Sequence, residues 1–209
     1  MSSEIPRYEG TSTQGLNEWL QIYTPLVFFG NDALHIPTTP IDERLFNSSE
    51  LEDAASGLLA THHTIREGIG ACTGLAHNQI GGNLSLATVW TRGMESPLLL
   101  ANPRIIKAVG AAAFQESCMS DIGNTGQVVR PLSVTVEYED LKGDTFTSSD
   151  MQLEPANDRR FSRVVQHEID HLHGKTCDMA FIPGSGLTVM ELAQFGKEPF
   201  SAGIVPLAE

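Results

Sequence analysis

Two stretches of this chain carry apolar residues at helical spacing, and the segments between them alternate. In the first, Leu51, Ala55, Leu58, Leu59, His62 and Ile65 fall on one helical stripe. In the second, Val164, Val165, Ile169 and Leu172 do the same. Between them, Leu84, Leu86, Thr88 and Trp90, and later Val134 to Tyr138, recur with period two, the pattern of a strand. Leu98 to Ile106 reads as a strand broken at Pro103, and Lys142-Gly143 as a hairpin tip before Thr145 to Thr147. Helix, strands, helix in that order predicts an α+β fold: antiparallel sheets packed around the second helix, rather than a βαβ array.

The element ends are marked. Ser49-x-x-Glu52 fits a capping box for the first helix, which Gly68 and Gly70 end. Asn157 or Asp158 caps the second helix and Gly174 stops it. Gly70 to Gly82 reads as a Gly-rich turn. Leu16, Trp19, Leu20 and Tyr23 share a helical face that Pro25 closes. Residues 1–15 read as a mobile arm and 184–209 as a tail, weakly helical around Thr188 to Phe195. The 209 residues fit one catalytic domain.

Composition excludes several classes. Hydrophobic residues at 41% and charged residues at 19% support a core and argue against a wholly disordered chain. No apolar run exceeds seven residues (Ala108 to Phe114), far short of the roughly twenty that a membrane-spanning helix needs. A formal charge of -13 opposes binding to phosphate backbones and to anionic membrane surfaces, so neither nucleic acid nor membrane is an expected partner. The first thirty residues include Glu4, Glu9 and Glu18 and show no secretory or transit pattern. Three widely spaced cysteines, Cys72, Cys118 and Cys177, are not a disulfide framework. A reducing, cytoplasmic location is expected.

The second helix contains Gln166-His167-Glu168-Ile169-Asp170-His171. Four residues advance a helix by about 400°, so His167 and His171 project from one face about a turn apart and can hold one metal ion. Glu168 lies about 100° round and can approach a metal-bound water without ligating the metal. For a third ligand the downstream choices are His173, Asp178 and Glu191, and His173 faces nearly the opposite way. Upstream stands Glu116-Ser117-Cys118-Met119-Ser120, whose thiolate is a strong soft ligand. Cys, His and His with one water would make an open site of the catalytic type.

Three blocks together resemble the peptide deformylases: Gly74-Leu75-Ala76-His77-Asn78-Gln79, Glu116 to Ser120, and Gln166 to Gly174. The resemblance continues through Val128-Val129-Arg130-Pro131 and covers roughly Glu67 to Ile182. It implies a metal-dependent hydrolase that removes the N-formyl group from the N-terminal methionine of newly made polypeptides and releases formate. Its partner would be an N-formyl-methionyl peptide or nascent chain. The implied ligands are Cys118, His167 and His171 around one divalent ion. The native ion of the family is usually Fe2+, with Zn2+, Ni2+ or Co2+ able to occupy the site.

The resemblance also implies roles. Glu168 would move protons, and the Gln79 amide with the backbone N–H of Met119 would meet charge growing on the formyl oxygen. Gly74 and Leu75 would border the substrate, Gly74 with backbone bare enough for a peptide to run alongside. Glu116 and Arg130, grouped on the substrate side, match positions that pair to brace the metal loop.

The chain departs from the family pattern in places. Cys72 stands where Gly is usual, His77 where Ala is, and Ser117 where Gly is. Asp121 to Gly126 replaces a run that often holds Pro and Arg. These departures leave open a related metallo-amidase or metallopeptidase acting on another N-acyl peptide, or an inactive relative that holds metal and binds peptide ends. His77 is expected to face water, and Cys72 and Cys177 to be buried thiols. From Gly196 onward there is only Lys197 against Glu198 and Glu209, which gives no support for ribosome docking.

Overall fold

A computed structural model describes residues 5–91, 93–148, 159–185, 187–188 and 205–206. Three helices, Thr13–Tyr23 (α1), Ser49–Ile69 (α2) and Arg159–Leu172 (α3), accompany two antiparallel sheets. The first sheet joins Gly74–Ala76 (β1), Leu86–Val89 (β2), Leu98–Val109 (β3), Ser133–Glu139 (β6) and Thr145–Thr147 (β7), in the order β1-β2-β3-β6-β7. The second joins Ala112–Cys118 (β4), Asp121–Arg130 (β5), Leu187–Thr188 (β8) and Val205–Pro206 (β9), in the order β8-β5-β4-β9. The α+β expectation holds. Among the described residues no helix is long and apolar enough to cross a membrane.

The first sheet lies between α2 and α3. Leu75 and Leu86 pack with Leu51, Leu58 and Ile65 of α2. Val89, Leu100 and Val136 pack with Phe161, Val165 and Ile169 of α3. Ala76 and Ala87 meet Leu172. Strands covered on both faces need no alternation, which is why β1 hides inside what reads as a Gly-rich turn. Its three residues are all buried.

Local signals shift in detail. The cap of α2 is Ser48, not Ser49: Ser48 is extended and its hydroxyl accepts from the Leu51 N–H at 3.2 Å. Gly68 does not end the helix. A Cβ there would lie 2.0 Å from the Trp19 ring, so the glycine is clearance for α1. Gly70, at φ 71°, is the true stop. Pro103 bends β3 rather than breaking it: the register shifts between Ala101 and Arg104, with Asn102 at φ 47°. The Asn102 side chain exchanges two 2.8 Å hydrogen bonds with the Ile41 backbone and so fixes the bend.

The opening arm is anchored where it is described. The Tyr8 N–H donates to Gly68 O at 2.8 Å, and Trp19 Nε1 donates to Pro6 O at 3.1 Å. The expected cap of α3 at 157–158 and most of the tail lie outside the described residues. Gly174, at φ 72°, ends α3 as expected.

Candidate active site

The HExxH helix brings His167 and His171 to the seam between the sheets. Packing of Phe161, Val165 and Ile169 on the first sheet turns their face toward the second. Cys118 arrives from the end of β4, where the pairing with β5 shifts register between Ser117 and Cys118. The sulfur and one nitrogen of each histidine lie within 4.8 Å of one another. Cys118 Sγ is 3.2 Å from His171 Nε2, and the two Nε2 atoms are 3.2 Å apart. A tetrahedral ion with ordinary bond lengths would hold two nitrogens about 3.3 Å apart and a sulfur about 3.6 Å from each. Two of the three separations match that geometry and the third, Cys118 to His167, is within 4.8 Å, so the donor set could hold one divalent ion, and its soft and borderline atoms suit iron or zinc.

The shell behind these atoms is charged and buried. Glu116 Oε2 lies 3.2 Å from His167 Nδ1. The same carboxylate takes two bonds from Arg130, Nε at 3.0 Å and Nη2 at 2.9 Å. Arg130 Nη1 also pairs with Asp170 of α3. Burial pushes the Glu116 carboxyl upward, but hydrogen bonds from His167 and Arg130 outweigh it and hold the group at about 2. Burial pushes His167 down, and the Glu116 bond reverses this, to about 9. A carboxylate at Nδ1 favours positive charge on the ring and equally strengthens Nε2 as a donor to a cation. His171 is held neutral, by burial first and by His167 second, and its Nδ1 has no partner among the described residues.

Glu168 is 3% exposed. Burial lifts its carboxyl to about 7, against the pull of His167. Its Oε2 has no hydrogen-bond partner among the described residues. A Cβ on Gly74 would lie 2.2 Å from the other oxygen, Oε1, and 2.7 Å from Val164 Cγ1. Gly74 is thus required by packing: the carboxylate of α3 occupies the space a side chain would fill.

Gln79 closes the group. Its Oε1 accepts from the Ala76 N–H at 2.8 Å, which orients the amide. Nε2 then faces Cys118 Sγ at 3.4 Å and Ser120 Oγ at 3.1 Å. A cavity of about 420 Å3 opens over the cluster, bordered by Gly74, Gln79, Met119, His167 and Glu168. Glu116 also borders it. Arg130 and Leu75 do not: Arg130 stands behind Glu116, and the Leu75 side chain is wholly buried in the core.

Other expectations change. His77 is buried, not solvated, because its ring covers Gly82 and its Nδ1 accepts from the Leu84 N–H at 3.2 Å. Cys72 and Cys177 are buried as expected. Cys177 is held protonated by its hydrogen bond with Cys118 and by burial. Sequence reading missed Asp170 as a partner of Arg130, though its place within the motif was visible. It also missed Arg66, which borders the outer end of the cavity and carries no motif.

The family model of polypeptide deformylases matches residues 23–181. A peptide deformylase of Borreliella burgdorferi is 30% identical over 150 residues, 71% of this chain and 82% of the relative. One from Chlorobaculum parvum is 39% identical over 108 residues, 48% of this chain and about half (53%) of the relative. Among solved structures, a class I type b peptide deformylase from Acinetobacter baumannii with bound Met-Ala-Ser superposes with TM-score 0.63 at 25% identity. That match covers 76% of this chain and 98% of the other. Matched over three quarters of its length and carrying all three blocks, the chain belongs to the peptide deformylase family.

Proposed function

We propose that this chain hydrolyses the N-formyl group from N-terminal formyl-methionine and releases formate, using one divalent ion held by Cys118, His167 and His171. The observation that carries this reading is the buried Glu168 Oε2, without a partner beside a three-donor cluster at the base of the cavity. An orphaned carboxylate oxygen costs stability, on the order of 1–3 kcal/mol, unless something it serves binds there. Bound Met-Ala-Ser in the Acinetobacter relative has the chemistry of a deformylated product and supports a methionyl peptide as ligand here.

A bound ion would supply Lewis acidity, lowering the pKa of water and polarising the formyl oxygen. Glu168 takes the proton of the attacking water at Oε2 and returns it to the departing amine; a carboxyl poised near neutrality suits both transfers. Gln79 Nε2 donates to the formyl oxygen as charge grows there, held in place by the Ala76 bond. The backbone N–H of Met119 is the second donor. Glu116 and Arg130 keep His167 in its ligating orientation. Fe2+ is the native ion, and the reducing cytoplasm is the compartment that preserves it and the three free thiols.

Anaerobic loading with Fe2+ or Zn2+, followed by a formate assay on formyl-Met and acetyl-Met peptides, tests the reading. The iron form is expected to act on the formyl peptide only and to lose activity in air. Glu168→Gln is expected to retain metal and lose about 10²–10⁴-fold in kcat. Full activity in that variant overturns the role of Glu168, and absence of formate from the fully loaded protein overturns the function.

A further inference from the structure

The cavity has a second end. Beyond Gly74 it is bordered by Gly70, Ala71, Arg66 and Trp90. Arg66 projects from the last turn of α2. Its Nη1 donates to Cys72 O at 2.9 Å and to Trp90 O at 3.1 Å. The guanidinium carbon lies 4.2 Å from the centre of the Trp90 ring. Two carbonyls and an aromatic face therefore fix the group in one position.

What those contacts leave unused matters more. Among the described residues no carboxylate pairs with Arg66, and neither Nε nor Nη2 donates a hydrogen bond. The Nε–Nη2 edge is the side of a guanidinium that matches both oxygens of a carboxylate. Neither carboxylate bordering the cavity, Glu116 or Glu168, pairs with Arg66. Glu116 is committed to Arg130 and His167, and Glu168 sits against Gly74. The outer end is thus cationic in a chain of formal charge -13.

Position gives the range. β1 is the edge strand of its sheet. Gly74 pairs with Val89 and the Trp90 N–H donates to Thr73 O at 2.7 Å on its β2 side, and Arg66 bridges Cys72 and Trp90 at the start of that edge strand, bordering the same cavity as Gly74. Cys72, whose carbonyl Arg66 holds, lies two residue steps from Gly74 and Ala71 three, about 7–10 Å of extended chain. A peptide lying along that edge, with its first residue at the metal cluster, reaches Arg66 at its third or fourth residue.

We propose that the Nε–Nη2 edge of Arg66 receives a carboxylate at the third or fourth residue of the peptide substrate, counting the formylated methionine as the first. This rests on the deformylase reading above. The carboxylate belongs either to an Asp or Glu side chain or to the C-terminus of a short peptide.

The test is a peptide series on the iron-loaded protein. The reference is formyl-Met-Ala-Ala-Ala amide; Glu or Lys replaces the third or fourth residue, and one further peptide carries a free C-terminal carboxylate. Glu is expected to lower KM about fivefold with kcat unchanged, Lys to raise it, and Arg66→Gln to bring all peptides within twofold of one another. Arg66→Lys, which keeps the charge and loses the fork, retains part of the preference. A lower KM for Glu alone names the side chain as the source; for the free acid alone, the terminus. Equal KM values throughout the wild-type series, or a preference that survives in Arg66→Gln, overturns the proposal. Calorimetry with the unformylated peptides reads the same contact without turnover. If no peptide is deformylated, the function fails, and those affinities still decide the carboxylate question.

Discussion

The two sheets are held by different forces. The first is buried on both faces between α2 and α3, and Leu75, Leu86, Leu100 and Val136 are at most 1% exposed. It is an apolar laminate, stabilised by area removed from water. The second packs through a small cluster of Cys118, Val128 and, on the turn that follows α3, Cys177, and meets α3 itself through Glu116 and Arg130, which tie it to His167 and Asp170. Charges buried there stabilise little in net terms, because desolvation offsets attraction, but removing one partner strands the other. One sheet supplies an apolar wall; the other brings Cys118 and the Glu116–Arg130 pair up to the histidines of α3.

The comparison can be broken at its charged side first. Arg130→Met strands Glu116 and is expected to cost about 4 kcal/mol in urea unfolding and to weaken metal binding about 10–100-fold. Loss of stability without loss of metal would show that the brace is only structural. On the apolar side, Leu100→Ala is expected to cost about 3 kcal/mol while metal affinity, read by competition with a chelator, stays unchanged.

A third test uses pH. His62 of α2 is 0% exposed and bonded to Thr88 Oγ1 at 2.8 Å. Burial, chiefly, lowers it from 6.5 to about 4. The unfolded chain then binds more protons between those values, so stability falls as pH drops through that window. The loss from pH 7.5 to pH 5 should be about 2 kcal/mol. His62→Gln should flatten the dependence; an unchanged slope would assign it elsewhere. The smallest expected effect, about 1 kcal/mol, comes from Ser48→Ala at the cap of α2, and thermal unfolding reads it without any change in metal content.

The site was more legible in the sequence than the sheet that carries half of it. His167, Glu168 and His171 declare themselves because helical spacing converts order into direction. Cys118 needed the family pattern, since nothing in a short polar segment points its sulfur at a helix fifty residues away. The strands β4 and β5 were hidden by their own function: Gly123, Gly126 and Glu116 are poor strand signals. Gly126 is there because a Cβ would lie 2.4 Å from the Phe181 ring. His77 misled because polarity suggests solvent, whereas its ring is packed against a glycine. Arg66 left no trace at all, since a lone arginine at a helix end is ordinary until Trp90 is seen beneath it.

Cys118 and His171 stand 53 positions apart in the chain and contact only across the seam. During synthesis the thiol emerges long before the second imidazole, and no fragment ending between them owns a complete donor set. An ion held by all three donors would therefore bind only after both layers are assembled.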